Sequence, residues 1–432
     1  MTPSITSSGP RWIVAAALVA FLAGHLPWLA PALEDVDSTN FALGVRDFDV
    51  AQHQPHPPGY PVFIALAKAS TSAMRAIAPA DAPSTWAEAH GLAVWGALLG
   101  ALAAVPLFVI FIALDGDRWR AAVAAAVALA NPLLWLNAAR PMSDVPGLAA
   151  ALAAQALLVA AFAAQKDVAR AGTGRGVDRD ALMRAGRLLV AGALVAGLAI
   201  GMRSQNAWLT LPLLALVLAD RTGRDAAGAL LGTAVTFSVG VLLWLVPLVM
   251  ATGGPSGYLA AFASQAGEDI GGVDLLATNT TPRRLAFAMI HTFVYPWVSV
   301  PLAVVVLAAA AVGVMACLAR DRRSLVVLAA ASVVYLPFHV FFQETFTTRY
   351  AIPLVVPVAW LAVRGLATLG PLAARVGGLG IVAASLAIAV PAVTAYGRVG
   401  GPVFRAVDDV MTARAAQPEA ERPVVAMHHA VW

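Results

Sequence analysis

The sequence predicts an all-α polytopic membrane protein, and three observations lead there. Of its 432 residues, 60% are hydrophobic and only 12% charged, with a mean hydropathy of +0.78, far outside the composition of a soluble globular enzyme. Apolar runs of roughly 18 to 25 residues recur along the whole chain, each long enough to cross a hydrocarbon core of about 30 Å as a helix. The basic residues fall in short clusters on every second connection between those runs, which is how cytoplasmic loops are marked. The net charge of +4 and the pI near 9.6 are therefore topology information, and no nucleic-acid partner is implied. A signal peptide alone is excluded, because the pattern continues past the first run.

Taken in order, the runs give about eleven transmembrane helices. The first is 11–33, followed by a long connection, 34–87, and then 88–114, which ends at the basic "DGDRWR" of 115–120. The run 119–137 leads through 138–144 into 145–165, and "KDVARAGTGRGVDRDALMRAGR" (166–187) precedes 186–202. After the short 203–205 comes 206–220, closed by "DRTGRD" (220–225), then 226–251 and a second long connection, 252–285. The last four runs are 286–318, 324–341, 349–364 and 376–396, separated by "ARDRR" (319–323), by 342–348 and by the stretch from Arg364 to Arg375. With a cytoplasmic N-terminus, every basic cluster lies on one face. The opposite face receives 34–87, 138–144, 203–205, 252–285, 342–348 and a tail from 397 to 432. The chain thus reads as one membrane domain, 1–396, with a short extracytoplasmic appendix in which "VVAMHHAVW" resembles a strand that starts and stops.

The connection 34–87 is too long to be a plain link and is expected to contain surface helices of its own. "DSTNFALGVRDF" starts with Asp37 and Ser38, both good N-cap residues, and spaces Phe41, Leu43, Val45 and Phe48 for an amphipathic helix at the bilayer surface. "HPPGYP" (56–61) then makes a rigid turn through Pro57, Pro58 and Gly59, and 60–78 reads as an interfacial or re-entrant apolar helix. His53 and His56 flank that turn, where each can contact phosphate or sugar or simply cap a carbonyl. The lone Cys317 excludes an internal disulfide and a thiolate metal cluster. No Gly-rich phosphate loop and no His-Glu-x-x-His is present.

Ionisable residues kept beside a membrane are costly and tend to have a function. Three acids stand at span ends on the non-basic face: Asp37, Asp144 in "ARPMSDVPGL" and Glu344 in "FFQETFTTRY". Arg140, Arg203, Arg283, Arg284 and Arg349 fall on the same face, where charge topology would not have put them. His291, Tyr295 and Trp297 form an aromatic cluster at the end of a span, which suits an interfacial belt or the wall of a lipid groove.

A first span followed by "DSTNFA", then "HPPGYP", "ARPMSDVPGL" and "TTRYAIPLVVPVAWL" resembles the GT-C superfamily of integral membrane glycosyltransferases, nearest to protein O-mannosyltransferases and aminoarabinose transferases. The resemblance implies a GT-C-like fold and transfer of a sugar from a polyprenyl-phosphate-linked donor to a lipid, glycan or protein acceptor on the outer face of the cytoplasmic (inner) membrane. It implies Asp37 as catalytic base, with Asp35 and Glu34 as neighbours able to substitute and Ser38 where a Glu is common in the family. Asp144 matches the family's second acid, and Arg349 with Tyr350 matches the pair expected to hold the donor phosphate, assisted by Arg140 and Arg203. Asp35, His53, His56, Pro57, Gly59, Tyr60, His291 and Glu344 are expected to shape the site or touch substrate. Some members use a divalent cation, but with Ser38 in place of an acid no obligatory metal and no other cofactor is expected.

The chemistry agrees with these expectations: a carboxylate within hydrogen-bond reach deprotonates the acceptor hydroxyl, and guanidinium forks match the charge growing on a departing lipid phosphate. A transporter or lipid flippase is the alternative reading. Transporters, however, set their ionisable groups near the bilayer midplane between related halves, whereas these acids sit at span ends and no internal repeat is evident. A GT-C-like shell with an assembly role is the third reading.

Overall fold

A computed structural model of the chain describes residues 11–171, 179–221, 226–272, 275–344 and 346–419. The "VVAMHHAVW" stretch lies outside the described residues. The regular elements are helices. The first are α1 (Arg11–His25), the two helices of the long connection, α2 (Val36–Arg46) and α3 (Pro61–Ile77), and the nearly continuous pair α4 (Trp86–Leu102) and α5 (Ala104–Asp115). Then come α6 (Arg118–Leu129), α7 (Pro132–Asn137), α8 (Asp144–Ala171), α9 (Arg179–Met202), α10 (Asn206–Ala219), α11 (Ala226–Ala251) and α12 (Gly254–Gly272). The last are α13 (Pro282–Phe293), α14 (Val300–Arg320), α15 (Arg322–Leu328), α16 (Tyr335–Phe342), α17 (Ile352–Leu366), α18 (Pro371–Val399) and α19 (Pro402–Ala415). The tail read as an appendix from 397 therefore begins with the end of α18, followed by α19.

Among the described residues, eight of the eleven runs contain a helix long and apolar enough to cross a membrane: Trp86–Asp115, Asp144–Gln165, Asp180–Met202, Ala226–Ala251, Val300–Arg320, Arg322–Phe342, Thr348–Leu369 and Pro371–Val399. The other three are shorter helices, for local reasons. The run 119–137 is cut by Asn131, whose side chain accepts from the Leu134 N–H at 3.1 Å as an N-cap and donates to the Pro296 carbonyl at 3.0 Å, with Pro132 opening α7. The first run stops at His25, before a 3-10 turn opened by Pro27, and α10 has only 14 residues.

One expectation is corrected. The run 286–318 is not one helix: α13 ends at Phe293, a 3-10 turn covers Tyr295–Trp297, and Val298 takes φ of 61° before α14 starts. Pro296 and Pro301 cannot continue a helical hydrogen-bond ladder, so the chain breaks between them.

The two surface helices of the long connection are present. α3 packs on α4 and buries Phe63, Ile64 and Ala67, with the Phe63 ring 5.3 Å from that of Phe41 in α2, and both Arg46 and Arg75 reach the buried Glu88 of α4 at 2.9 Å. Lys68 lies over the Phe48 ring at 6.0 Å, as an amphipathic side chain at an interface does. At the far end of the bundle Asp115 is held between Arg120, at 2.6 Å, and Arg364, whose other amino group lies 3.8 Å from Asp321. Basic connections far apart in sequence thus share one end, as their alternation predicts.

Helices in lipid gain little from apolar burial and pack through small residues instead. α14 and α17 show this reciprocally: a methyl group on Gly313 would fall on the Leu361 carbonyl, and one on Gly365 on the Ala309 carbonyl. Gly365→Ala is therefore expected to lower stability by about 1 to 3 kcal/mol through overpacking, read as melting temperature in detergent. Gly380→Ala, in the middle of α18 with open space around its Cα, is the matched control and should be neutral or slightly stabilising. Equal behaviour of the two variants would refute the close-packing account.

Candidate functional site

The start of α2 builds the site. The sequence suggests Asp37 or Ser38 as N-cap, but the cap is Asp35, in extended backbone, whose carboxylate accepts from the Ser38 N–H at 2.8 Å. Ser38 reciprocates, its hydroxyl accepting from the Asp35 N–H at 3.0 Å. This Asp-x-x-Ser capping box gives Ser38 a structural role and places Asp37 in the first helical turn, free of capping duty. The positive end of the helix dipole favours a carboxylate there.

Arg349 lies across from that turn, in a 3-10 segment (Thr348–Ala351) that leads into α17. Its guanidinium is shared by two acids: one amino group lies 3.2 Å from Asp35, and the other makes a close ion pair with Asp37. Asp35 spans two arginines, since the same Oδ2 also lies 3.2 Å from Arg140. Arg140 in turn pairs closely with Glu34 and donates to Asn137 Oδ1 at 3.2 Å. The acids of one connection are thus held by arginines from two others.

The "HPPGYP" turn closes the other side of Asp37. His56 Nε2 lies 3.8 Å from the Asp37 carboxylate and 3.2 Å from the Tyr60 hydroxyl, with its ring 5.8 Å from that of Phe41. Gly59 takes φ of 100°, and a Cβ there would meet Leu248 at 2.8 Å and Val50 at 3.0 Å, so only glycine fits the turn. Pro57 is buried within it. Burial depresses the pKa of His56 despite the opposing charge of Asp37, so the imidazole is neutral near pH 7. Burial also raises the pKa of Tyr60, keeping its hydroxyl protonated.

A second acid and arginine pair stands beside the first. Asp144 opens α8 and lies 3.1 Å from Arg203, which also donates to the Ser143 hydroxyl at 2.9 Å. The two pairs meet at Tyr350, whose ring centroid is 5.5 Å from the Arg203 guanidinium and 5.3 Å from that of Arg349. Both arginines, with Asp144, Gln205, Asn206, Tyr335 and Tyr350, line a narrow cleft. Arg349 divides the site, with Asp37 on one side and the Asp144 cleft on the other.

Three expected residues stand apart. His53 closes a 3-10 turn in the left-handed region, its N–H donating to the Val50 carbonyl at 3.3 Å. Glu344 accepts from the Thr347 hydroxyl at 2.7 Å, within its own turn. His291, between the rings of Phe287 and Tyr295, is 3.0 Å from Thr348 Oγ1, one residue before Arg349. Sequence reasoning passed over Tyr335, His339 and Gln343. Their signal was polar residues at intervals of four, on one face of an otherwise apolar span. Asp37 and Asp144 are each paired with an arginine and Ser38 belongs to the capping box; no cluster of three or more His, Cys, Asp or Glu occurs among the described residues.

No family model and no curated protein matches the chain. Among solved structures it is similar to the oligosaccharyltransferase of Archaeoglobus fulgidus. The apo form aligns with a TM-score of 0.51 at 14% identity, covering 95% of this chain and 59% of that one. The form tethered to an acceptor peptide bearing an NVT sequon gives 0.52 at 14% identity over 95% and 57%. The archaeal oligosaccharyltransferase AglB from that organism, bound to an inhibitory peptide and a dolichol-phosphate, gives 0.51 at 13% identity over 95% and 59%. The fold is GT-C-like. This chain spans less than three fifths of the length of those structures, and at such identity the likeness is one of fold. Another form of the archaeal enzyme holds zinc and sulfate. The GT-C-like shell places α2, the "HPPGYP" turn, the start of α8 and the start of α17 around the arginines described above.

Proposed function

We propose that the protein is a membrane glycosyltransferase that moves a sugar from a polyprenyl-phosphate-linked donor to an acceptor hydroxyl at the outer face of the cytoplasmic membrane. The observation that supports this most directly is the pairing of Asp37 with Arg349 across 312 residues of sequence, at one end of a GT-C-like bundle. Asp37 takes the proton of the acceptor hydroxyl, whose oxygen attacks the anomeric carbon as the bond from that carbon to the phosphate oxygen breaks. The configuration inverts and the lipid phosphate leaves. Arg349, with Arg203 beside Tyr350, receives the charge gathering on the phosphate, where a planar fork suits two oxygens at once. Neutral His56 and the Tyr60 hydroxyl border the base without competing for its proton.

Arg349 is asked to serve both the base and the phosphate, and this gives the reaction an order. Burial opposes ionisation of Asp37, but the positive charge beside it, that of Arg349 foremost and then that of Arg203, outweighs it and holds the pKa below the usual carboxylate value. A carboxylate so depressed is a weak base. A donor phosphate that draws the guanidinium away removes the largest stabilising charge and leaves burial opposed by less, so the pKa of Asp37 rises once donor is bound. The acid limb of kcat/KM reports the free protein, and that of kcat the donor complex. The limb in kcat is therefore expected at higher pH than the limb in kcat/KM. Coincident limbs, or the reverse order, would contradict this competition.

The transfer assay itself uses purified protein with polyprenyl-phosphate-linked mannose or arabinose and lipid, glycan or protein acceptors. Sugar transfer supports the enzyme. Movement of a labelled solute across liposomes without sugar transfer supports the transporter reading instead. The clustering of acids and arginines at one end of the bundle favours the enzyme, because transport sites sit near the midplane.

A further inference from the structure

We infer that Tyr335, Gln343 and His339 form a hydrogen-bonded strut that positions the Arg349–Tyr350 turn, and hence the guanidinium that meets the donor phosphate. The inference rests on the proposed role of Arg349. The three residues follow one another at intervals of four, on one face of α16 and its end, and are 2%, 6% and 3% exposed respectively. The Tyr335 hydroxyl is 2.8 Å from the Tyr350 carbonyl and 3.0 Å from the Gln343 amide. That amide is also 3.0 Å from His339 Nδ1, and His339 Nε2 is 3.0 Å from the Thr292 hydroxyl. The rings of Tyr335 and His339 are nearly parallel, 8° apart in plane.

The protons fix the direction of this chain. Thr292 gives its hydrogen to the Ala288 carbonyl at 2.7 Å, so its oxygen accepts from His339 Nε2–H. A neutral His339 then presents Nδ1 as an acceptor and needs a donor from Gln343. With the Gln343 oxygen facing both neighbours, His339 would have to carry a charge. Turning the amide over, a choice that heavy-atom positions alone do not fix, lets Nε2 donate to both His339 Nδ1 and the Tyr335 oxygen. Tyr335 is then free to give its single proton to the Tyr350 carbonyl, and every group in the strut is neutral. One end is anchored on α13 through Thr292 and the other holds the backbone of Tyr350, one residue from Arg349. The adjacent contact between His291 and Thr348 ties the same turn to the same helix. Tyr335 also lines the cleft between Asp144 and Arg349, but its hydroxyl is committed to the backbone, which makes it a positioning residue.

The test is a double-mutant cycle of Tyr335→Phe with Arg349→Lys in the full-length protein, reading polyprenyl phosphate binding, sugar transfer and melting temperature. Phenylalanine keeps the ring and removes only the hydroxyl. In the parent, Tyr335→Phe is expected to weaken polyprenyl phosphate binding and lower kcat/KM roughly ten- to a hundredfold, the usual cost of a mis-aimed group. With lysine at 349 no fork remains to be aimed, so the same change should cost less than about twofold. Gln343→Leu, which removes the centre of the strut, should behave the same way. Equal losses in both backgrounds, or losses matched by a fall in melting temperature, would overturn the proposal. If the parent binds polyprenyl phosphate through Arg349 but transfers no sugar, the glycosyltransferase reading fails while the binding cycle still decides the strut. If it binds no polyprenyl phosphate at all, both fall.

Discussion

Asp37→Asn is expected to lower kcat about 10²- to 10⁴-fold, the range over which a positioned general base acts, while the protein folds and binds donor at least as well as the parent. Three features of the site produce this separation. Asparagine keeps the shape of aspartate and still offers an oxygen to Arg349. The helix start is secured by the Asp35 and Ser38 box, so α2 loses no cap. Removing one of the two carboxylates that share Arg349 also frees the guanidinium for phosphate, so KM for the donor should hold or fall. Asp35→Asn is the necessary comparison. Asparagine can still cap α2 through its oxygen, but the charge bridging Arg140 and Arg349 is lost, and a partial loss expressed in both kcat and KM is expected. Near-complete loss with Asp35→Asn alongside normal turnover by Asp37→Asn would move the base to Asp35.

The contrast between these two acids also marks how much the sequence could tell. The all-α membrane class, the alternation of basic connections and eight of the crossings are legible because hydropathy and charge are properties of composition along the chain. The breaks at Asn131 and at Tyr295–Trp297 are harder. A cap or a proline within an apolar run ends a helix only if its partners are in place, and Asn131 is fixed by a carbonyl at position 296. The N-cap of α2 shows the same difficulty on a smaller scale: Asp35, Asp37 and Ser38 are all good capping residues, and only the reciprocal box with Ser38 decides among them. Arginines out of place on the non-basic face pointed to Arg140, Arg203 and Arg349. Their pairing with Glu34, Asp35, Asp37 and Asp144 is long-range, and no local pattern contains it. Glu344 and His53 had the right chemistry in the right connection, yet their contacts stay within their own turns.

Arg349→Lys and Arg349→Ala should both remove most of the activity but differ in stability, and the difference has a pH signature. Lysine keeps one positive charge near Asp35 and Asp37 but replaces a planar fork with a point charge. Transfer is expected to fall about 10²- to 10³-fold, the scale for deleting one preorganised electrostatic contact to the transition state, with a small change in melting temperature. Alanine leaves the two carboxylates facing each other in a partly buried site, with Asp35 still held by Arg140 and Asp37 left with His56 at 3.8 Å and the more distant charge of Arg203. In the parent the pKa of Asp37 is depressed, so its contribution to stability is full above the unfolded value and is lost as pH falls through the folded value. In Arg349→Ala burial acts on Asp37 without its main counter-charge and pushes the pKa upward, so protonation relieves the fold and the sign reverses. Lowering the pH from 7 toward 4 should therefore leave the parent nearly unchanged and raise the melting temperature of Arg349→Ala relative to it. Parallel pH profiles for the two proteins would mean that Arg349 does not control the charge on Asp37. The proposed competition between base and phosphate for one guanidinium would then lose its physical basis.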